Sequence, residues 1–226
     1  MDNEHGNLKL TWPGDSANPA FTIRVINSCA KYRVEGDLGD CGLPRGVCME
    51  EGTMATFDIF LPMLLKFEGG FVDDPDDPGG ETNKGVTMAT FQSSSHELLG
   101  IDPTSDNLKA LTDAQAGIIY KALYWNKIQG DAITLQDLAN IVCDFFVNSG
   151  SHATKLLQSV MIDMGANISV DGVIGPGSIQ ALNGLPQVEV YRRYKQARIA
   201  FYQNLGQKFP KFLKGWLNRV NSFPDL

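Results

Sequence analysis

KFEGGFVDDPDDPGGETNKGVT, residues 66–87, is rich in acidic residues, glycine and proline. An apolar segment with helical spacing, residues 54–67, leads into it and predicts an amphipathic helix. The stretch then holds five glycines and two prolines, residue types that favour turns. It also holds six acidic residues: Glu68, Asp73, Asp74, Asp76, Asp77 and Glu81. The first structural prediction is therefore a helix followed by a sharply turning segment. We call residues 73–81 of this segment the acidic loop.

Helical patterns dominate the chain beyond the acidic loop. Helices are predicted over residues 87–99, 151–164 and 186–205, and one more near the C-terminus. Thr112 and Gln115 have the spacing of a capping box, which opens another helix. The only strand signal after residue 54 lies around the acidic loop. The predicted fold class is mainly α, with a short β or loop element that carries the acidic residues.

Composition places the chain among ordinary globular proteins. It has 226 residues, of which 43% are hydrophobic and 20% charged, enough for one large domain or two small ones. No apolar run approaches the roughly 18–20 residues of a membrane span. The first residues lack the pattern of a secretory signal, so work outside the cytoplasm would require another route of release.

Charge is distributed unevenly along the chain. The net charge is −7, which argues against nucleic acid as the main partner. One run nevertheless contains eight basic residues and no acidic one: Arg192, Arg193, Lys195, Arg198, Lys208, Lys211, Lys214 and Arg219. This run indicates either a face for an anionic polymer or, more simply, a solvated helix face.

A metal site is not expected. The four cysteines include no C-x-x-C pair, and Cys143 falls within an apolar helical pattern that is typical of a core residue. An EF-hand loop that begins at Asp74 fails at its fifth position, Pro78, and at its twelfth, Gly85. Two hypotheses for the acidic loop remain: a solvated surface turn, or a site of acid and base catalysis.

Glu68 favours the catalytic hypothesis. It follows Phe67 directly and precedes Gly69 and Gly70, so its carboxyl lies between apolar packing and an open loop. Desolvation at such a place would raise its pKa. A glycosidase needs a carboxyl group that stays protonated and donates to the leaving oxygen, and a second carboxylate across the scissile bond. The acidic loop offers several candidates for the second group.

At these residues the chain resembles glycoside hydrolase family 108, a group of lysozyme-like muramidases from phages and bacterial secretion loci. The resemblance rests on Glu68-Gly-Gly, on DDPDDPGGETNKGVT, and on DFFVNSG, residues 144–150. Three further segments resemble the predicted peptidoglycan-binding region that commonly follows in this family: DGVIGP, residues 171–176, YRRYKQARIAFYQNL, residues 191–205, and GWLNRV, residues 215–220. Together the resemblance covers about residues 54–222.

The resemblance implies roles for individual residues. Glu68 is the expected catalytic acid. Related phage lysozymes place an Asp nine residues after that Glu and a Thr soon after it, which indicates Asp77 as the second carboxylate. Asp73, Asp74 and Asp76 remain rivals, and Glu68 could also act alone as acid and then base. Candidate substrate-binding residues are Thr82, Asn83, Asp144, Asn148 and Asp171. Asp144 and Asn148 would line the floor of a cleft, or else form a buried polar pair.

The resemblance implies a lysozyme-like peptidoglycan hydrolase, needing no cofactor, that cuts the β-1,4 bond between N-acetylmuramic acid and N-acetylglucosamine. Two alternatives are a lytic transglycosylase and a non-catalytic wall-binding or secretion-accessory protein. The expected organisation is an extension of unknown role over residues 1–53, a catalytic region over 54–145, and a helical peptidoglycan-binding-like region over 146–223. The expected partner is the glycan strand. The expected location is the periplasm or cell wall, reached from the bacterial cytoplasm by holin-like or other release.

Overall fold

The computed structural model describes residues 54–68, 70–72 and 80–226, and in the N-terminal part only three strands. These strands are β1 (Asn7–Lys9), β2 (Thr22–Arg24) and β3 (Arg33–Glu35), which form an antiparallel sheet in the order β1-β2-β3. The chain divides into two compact units, residues 1–53 and 54–226. The second unit contains Glu68 and is described below by itself.

The described part of the second unit is helical, which confirms the predicted fold class. No helix among the described residues is both long and apolar enough to cross a bilayer. Its α-helices are α1 (Phe57–Phe67), α2 (Met88–Leu99), α3 (Ser105–Lys109), α4 (Asp113–Tyr120), α5 (Gln136–Ser149), α6 (Ser151–Asp163), α7 (Pro176–Asn183), α8 (Gln187–Gly206) and α9 (Pro210–Asn221).

Helix α1 brings the chain to Glu68. It buries Phe57, Phe60 and Leu64 on one face, as the helical spacing of the apolar residues predicts. Phe57 and Phe60 pack on the buried ring of Trp125, with ring centroids 5.7 and 5.5 Å from it. The helix ends at Phe67, and Glu68 follows with an extended backbone at φ −89° and ψ 134°. The side chain of Glu68 therefore projects from the end of a helix that is anchored in the core.

A short hairpin follows the acidic loop. It consists of β4 (Thr82–Asn83) and β5 (Val86–Thr87), joined by Lys84 and Gly85 at φ 50° and 73°. Two consecutive residues with positive φ form the tight turn whose twist suits an antiparallel pair, and a glycine adopts it without steric cost. The hairpin is the β element that the sequence predicts around the loop.

Backbone pairing closes the base of the acidic loop. Val72 and Thr82 exchange two hydrogen bonds, with N to O distances of 2.8 and 2.9 Å. The loop therefore begins five residues after Glu68, at residue 73, and leads into the hairpin. Residues 69 and 73–79 lie outside the described residues, and with them Asp77 and its rivals Asp73, Asp74 and Asp76.

Helices α5, α6, α8 and α9 build the C-terminal part of the core. Phe145 of α5 contacts Tyr194, Phe201 and Tyr202 of α8 with ring centroids 5.1 to 6.4 Å apart.

The capping box of Thr112 and Gln115 is present at the start of α4, as predicted. After α4 the chain makes a π-helical turn, Lys121–Trp125, which carries Trp125 into the core.

Candidate active site

Glu68 lies at the surface of the helical core and remains reachable from solvent. Its side chain is 18% exposed, and its Oε1 atom accepts a hydrogen bond from Nη2 of Arg219 at 3.1 Å. Arg219 belongs to α9, 151 residues further along the chain. Its guanidinium also lies over the ring of Phe67, 4.9 Å from the centroid. The carboxyl group therefore faces a cation from the C-terminal helix.

Arg219 joins Glu68 to a second carboxylate, that of Asp144 on α5. Nε of Arg219 donates to Oδ1 of Asp144 at 2.9 Å, and Nη2 lies 2.8 Å from the same oxygen. The other oxygen, Oδ2, accepts from Nη2 of Arg198 on α8 at 2.6 Å. We call these four residues, Glu68, Arg219, Asp144 and Arg198, the inner network. Two guanidiniums and two carboxylates alternate along it.

The inner end of this network is completely enclosed. Arg198 is 0% exposed and Asp144 1% exposed. The guanidinium of Arg198 lies over the rings of Phe145 and Tyr202, and it also donates to the hydroxyl of Tyr202 at 3.1 Å. Its Nε atom has no hydrogen-bond partner among the residues that the structure describes. Because a charge in such surroundings is costly without a counterion, Asp144 is the group that makes the burial of Arg198 possible.

Opposite charges hold Arg219 in its ionised form. Its pKa is raised: burial would lower it, but the carboxylates of Asp144 and, to a smaller extent, Glu68 outweigh that effect. Arg219 therefore presents a permanent positive charge to Glu68. Its planar guanidinium donates hydrogen bonds only in fixed directions, which restricts the orientation of the Glu68 carboxyl group.

The hairpin turn forms the other wall around Glu68. A Cβ atom at Gly85 would lie 2.4 Å from Oε2 of Glu68 and 2.4 Å from the hydroxyl of Tyr120. Tyr120, from α4, donates that hydroxyl to the carbonyl of Lys84 at 3.0 Å. Burial raises the pKa of Tyr120, and the negative charge of Glu68 raises it further. Tyr124 shows the same direction for the same two causes. Glu68 is thus confined by a bare glycine, the neutral phenol of Tyr120 and one cation.

Two of the predicted substrate-binding residues lie in the hairpin. Asn83 is 4% exposed, and its Nδ2 donates to the carbonyls of Leu108 and Lys109 at 2.9 and 3.0 Å. These bonds tie the hairpin to the end of α3. Thr82 pairs its backbone with Val72, and its hydroxyl donates to the carbonyl of Gly80 at 3.3 Å. Both residues shape the base of the acidic loop, and their contact with substrate stays a prediction.

The other three lie farther along the chain. Both oxygens of Asp144 are occupied by arginines, as described above, and Nδ2 of Asn148 donates to the backbone carbonyl of Asp144 at 2.6 Å. Asp171 is fully exposed, and its Oδ1 accepts from the backbone N–H of Val173 at 2.8 Å and from Gln158 at 2.7 Å. These two bonds lower the pKa of Asp171. The structure brings Asp144 next to Glu68 through Arg219 and places Asp171 in a separate turn before α7.

Sequence reasoning missed both arginines of the inner network as site residues. It treated Arg198 and Arg219 only as members of a basic run. A signal for Arg198 does exist, because it stands four residues after Tyr194 and four before Tyr202, on the stripe of α8 that faces the core. An arginine on an apolar stripe indicates a buried ion pair. Nothing local indicates that its partner is Asp144, or that Arg219 reaches Glu68.

This arrangement can perform proton transfer at one carboxyl group. Glu68 is accessible and held on three sides, and the charge it carries after losing a proton is matched by Arg219. Among the described side chains no group of three or more histidine, cysteine, aspartate or glutamate residues is arranged to hold a metal ion.

Comparison with family models divides the second unit into two adjoining segments. Residues 61–150 match the family described as glycosyl hydrolase 108, and residues 152–221 match one described as a predicted peptidoglycan domain. Glu68 and Asp144 lie in the first segment, whereas Arg198 and Arg219 lie in the second. The inner network therefore crosses the boundary between the two matched segments.

The solved structures that are similar to this chain include one that matches over most of both chains. SagA of Brucella abortus is 35% identical in sequence, and the match covers 74% of this chain and 90% of that chain with a TM-score of 0.60. A search of curated proteins found no match.

Proposed function

Because the chain belongs to the glycosyl hydrolase 108 family, we propose that it is an N-acetylmuramidase in which Glu68 is the catalytic acid. The family makes the chain a glycoside hydrolase, and the adjoining peptidoglycan domain indicates peptidoglycan as its substrate. The proposal adds the bond: the β-1,4 linkage between N-acetylmuramic acid and N-acetylglucosamine in the glycan strand.

The placement of Glu68 is the observation that carries this proposal. A general acid must reach the leaving oxygen and must be held still while it does so. Glu68 meets both requirements, because its side chain is 18% exposed while α1, the hairpin turn and Arg219 confine it. No other glutamate or aspartate among the described residues is both accessible and joined to the inner network.

We propose that the acidic loop supplies the second carboxylate that the reaction requires. Its base is fixed beside Glu68 by the pairing of Val72 with Thr82. In our proposal Glu68 protonates the glycosidic oxygen, and Asp77 stabilises the positive charge that develops on the sugar or activates a water molecule. The bond between the anomeric carbon and the glycosidic oxygen breaks, and the departing sugar leaves with the proton from Glu68. Water adds to the anomeric carbon and gives a proton to the carboxylate that acts as base, Asp77 or the ionised Glu68. The distance between the two carboxyl groups determines whether configuration is retained or inverted.

Digestion of purified peptidoglycan tests the proposal. The wild type, Glu68→Gln and the control Glu97→Gln would be incubated with the same substrate, and products analysed by mass spectrometry. Glu97 is an exposed glutamate on α2, so the control makes the same chemical change away from the site. We expect reducing N-acetylmuramic acid ends from the wild type and the control, and a loss of about 10²-fold or more in Glu68→Gln.

Other products would replace the proposal with one of its alternatives. Ends in the 1,6-anhydro form would identify a lytic transglycosylase, in which the substrate's own hydroxyl group displaces water. No products from the wild type, with binding to peptidoglycan intact, would identify a wall-binding accessory protein.

The second carboxylate requires a separate comparison. Asp77→Asn would be measured beside Asp73→Asn, Asp74→Asn and Asp76→Asn, since these four differ only in position along the acidic loop. We expect the largest loss of kcat for Asp77→Asn. A larger loss at one of the other three positions would move the role to that residue. Equal, small losses at all four would mean that Glu68 acts alone.

A further inference from the structure

We infer that Arg219 of the segment matched as a peptidoglycan domain is a positioning residue for Glu68, so that the catalytic centre is built from both matched segments. The inference rests on the proposed function, because it assigns Arg219 a part in the reaction of Glu68. It differs from the simpler view that the first segment carries out catalysis alone and the second only binds peptidoglycan.

The geometry of Arg219 is that of a bridge between two fixed points. It contacts Glu68 at 3.1 Å and Asp144 at 2.8 Å through the same nitrogen, Nη2, and adds a second bond to Asp144 through Nε. Asp144 is itself held by the fully buried Arg198. Arg219 therefore cannot follow Glu68 freely. It keeps the carboxyl of Glu68 in one direction relative to the core.

Charge gives this contact a second effect. When Glu68 donates its proton, it becomes a carboxylate beside a guanidinium that is already in place, which stabilises the product of the transfer. The charged and titratable groups that face Glu68 among the described residues are Arg219, Asp144 behind it, and the phenols of Tyr120 and Tyr124. Arg219 is the one cation in this set.

The sequence boundary between the matched segments does not coincide with a structural gap. Residues 54–226 form one compact unit, and α5 of the first segment packs against α6 and α8 of the second. Helix α9, which carries Arg219, packs on α8. The C-terminal segment is therefore in place to complete the site before any substrate binds.

Kinetics of Arg219→Gln and Arg219→Lys test the inference, with Arg193→Gln as the matched control. Arg193 pairs with Glu189 on the exposed face of α8, so the control removes an arginine from an ion pair in the same segment. The substrate would be soluble peptidoglycan glycan fragments, and sedimentation with whole peptidoglycan would measure binding separately. Thermal unfolding would verify that each variant is folded.

For Arg219→Gln we expect kcat to fall by about 10²-fold, the cost of a misplaced reacting group, while KM and sedimentation change less than about two-fold. Arg219→Lys keeps the charge but cannot bridge two carboxylates as a fork, and we expect a loss of only about 10-fold in kcat, a partial rescue relative to Arg219→Gln. Arg193→Gln should match the wild type.

Two results would overturn the inference. One is a wild-type kcat in Arg219→Lys and Arg219→Gln with weaker sedimentation, which would assign α9 to binding alone. The other is an equal loss in Arg193→Gln. If Arg219→Gln fails to fold, Arg219→Lys decides the question by the same criteria. A wild type that releases no products would overturn the proposed function itself, which keeps the two failures distinct.

Discussion

The inner network and the ion pairs at the start of α8 use the same kinds of side chain in opposite surroundings. Arg198 and Asp144 are 0% and 1% exposed, and the contact between them is 2.6 Å long. Arg193 and Glu189 are 49% and 40% exposed, and their contact is 2.7 Å long. The distances are nearly equal, yet water screens only the second pair. Distance alone therefore does not decide how much an ion pair matters.

The two sets also differ in how they are built along the chain. Glu189 and Arg193 are one helical turn apart, a spacing that any exposed helix can use. The inner network joins residues from four helices or helix ends that lie up to 151 residues apart. Only a completed fold can bring these residues together. We expect disturbances of the network to cost far more than disturbances of the surface pair.

Asp144→Asn is the variant expected to have the largest effect. It removes the shared carboxylate and leaves Arg198 buried without a counterion, which typically costs about 3–5 kcal/mol of folding free energy. Urea unfolding of the wild type and the variant would measure the loss. The control is Asp163→Asn, the same change at an exposed residue of α6 that pairs with no cation among the described residues, and it should stay within about 0.5 kcal/mol. A loss below about 1 kcal/mol in Asp144→Asn would contradict the role given to this carboxylate.

Gly85→Ala changes the hairpin turn beside Glu68, at the solvent-accessible end of the inner network. The added Cβ would meet Oε2 of Glu68 at 2.4 Å, so the carboxyl must move, and alanine is also strained at φ 73°. We expect kcat to fall by about 10²-fold because the acid is displaced.

Gly100→Ala separates the steric contact with Glu68 from the backbone strain at positive φ. Gly100 ends α2 at φ 68°, and a Cβ there would meet no atom within 4 Å. It should therefore share the backbone cost of about 1–2 kcal/mol but keep a wild-type kcat. Equal kcat values in the two alanine variants would show that the close contact with Glu68 has no catalytic consequence.

Local patterns explain why the fold was largely predictable from the sequence. Helix α1 is a continuous amphipathic pattern, the capping box at Thr112 is a four-residue signal, and the β element lies where glycines and the acidic loop interrupt the helices. Glu68 is identifiable as a candidate for the same reason, because its motif is contiguous with the loop, and its catalytic role stays a prediction. Each of these features depends on residues that are close in sequence.

The rest of the site depends on tertiary contacts, which a single sequence does not encode in any local period. The basic run predicts a polymer-binding or solvated face, yet Arg198 is fully buried and Lys195 is 8% exposed, with its Nζ donating to the carbonyl of Phe223 at 2.7 Å. The sequence predicts Asp144 at the floor of a cleft or in a buried polar pair. It is buried, but its partners are arginines from two other helices. Choosing these partners requires knowing how α5, α8 and α9 pack.

Tyr120→Phe tests the hairpin side of the site more gently. It removes one hydrogen bond, from the hydroxyl to the carbonyl of Lys84, and should cost about 1 kcal/mol in urea unfolding. Tyr194→Phe is the control, because that buried hydroxyl donates to the carbonyl of Ala153 at 3.1 Å, away from Glu68. We expect similar losses of stability in both variants and a lower kcat only in Tyr120→Phe. A lower kcat in both would mean that general loosening, rather than the hairpin turn, limits activity.

Glu189→Gln carries the smallest expected effect and completes the comparison. Both partners of the surface pair are about half exposed, so each keeps most of its hydration and the pair holds two long side chains at an entropic cost. Helical pairs at this spacing contribute about 0.3–0.5 kcal/mol, and salt reduces the contribution further. Urea unfolding at about 0.05 M and 1 M salt should therefore show a small loss that disappears at the higher concentration, whereas the loss in Asp144→Asn should persist because salt does not reach a pair that is 1% exposed or less. A large, salt-independent loss in Glu189→Gln would mean that burial is not what separates the inner network from the surface pairs.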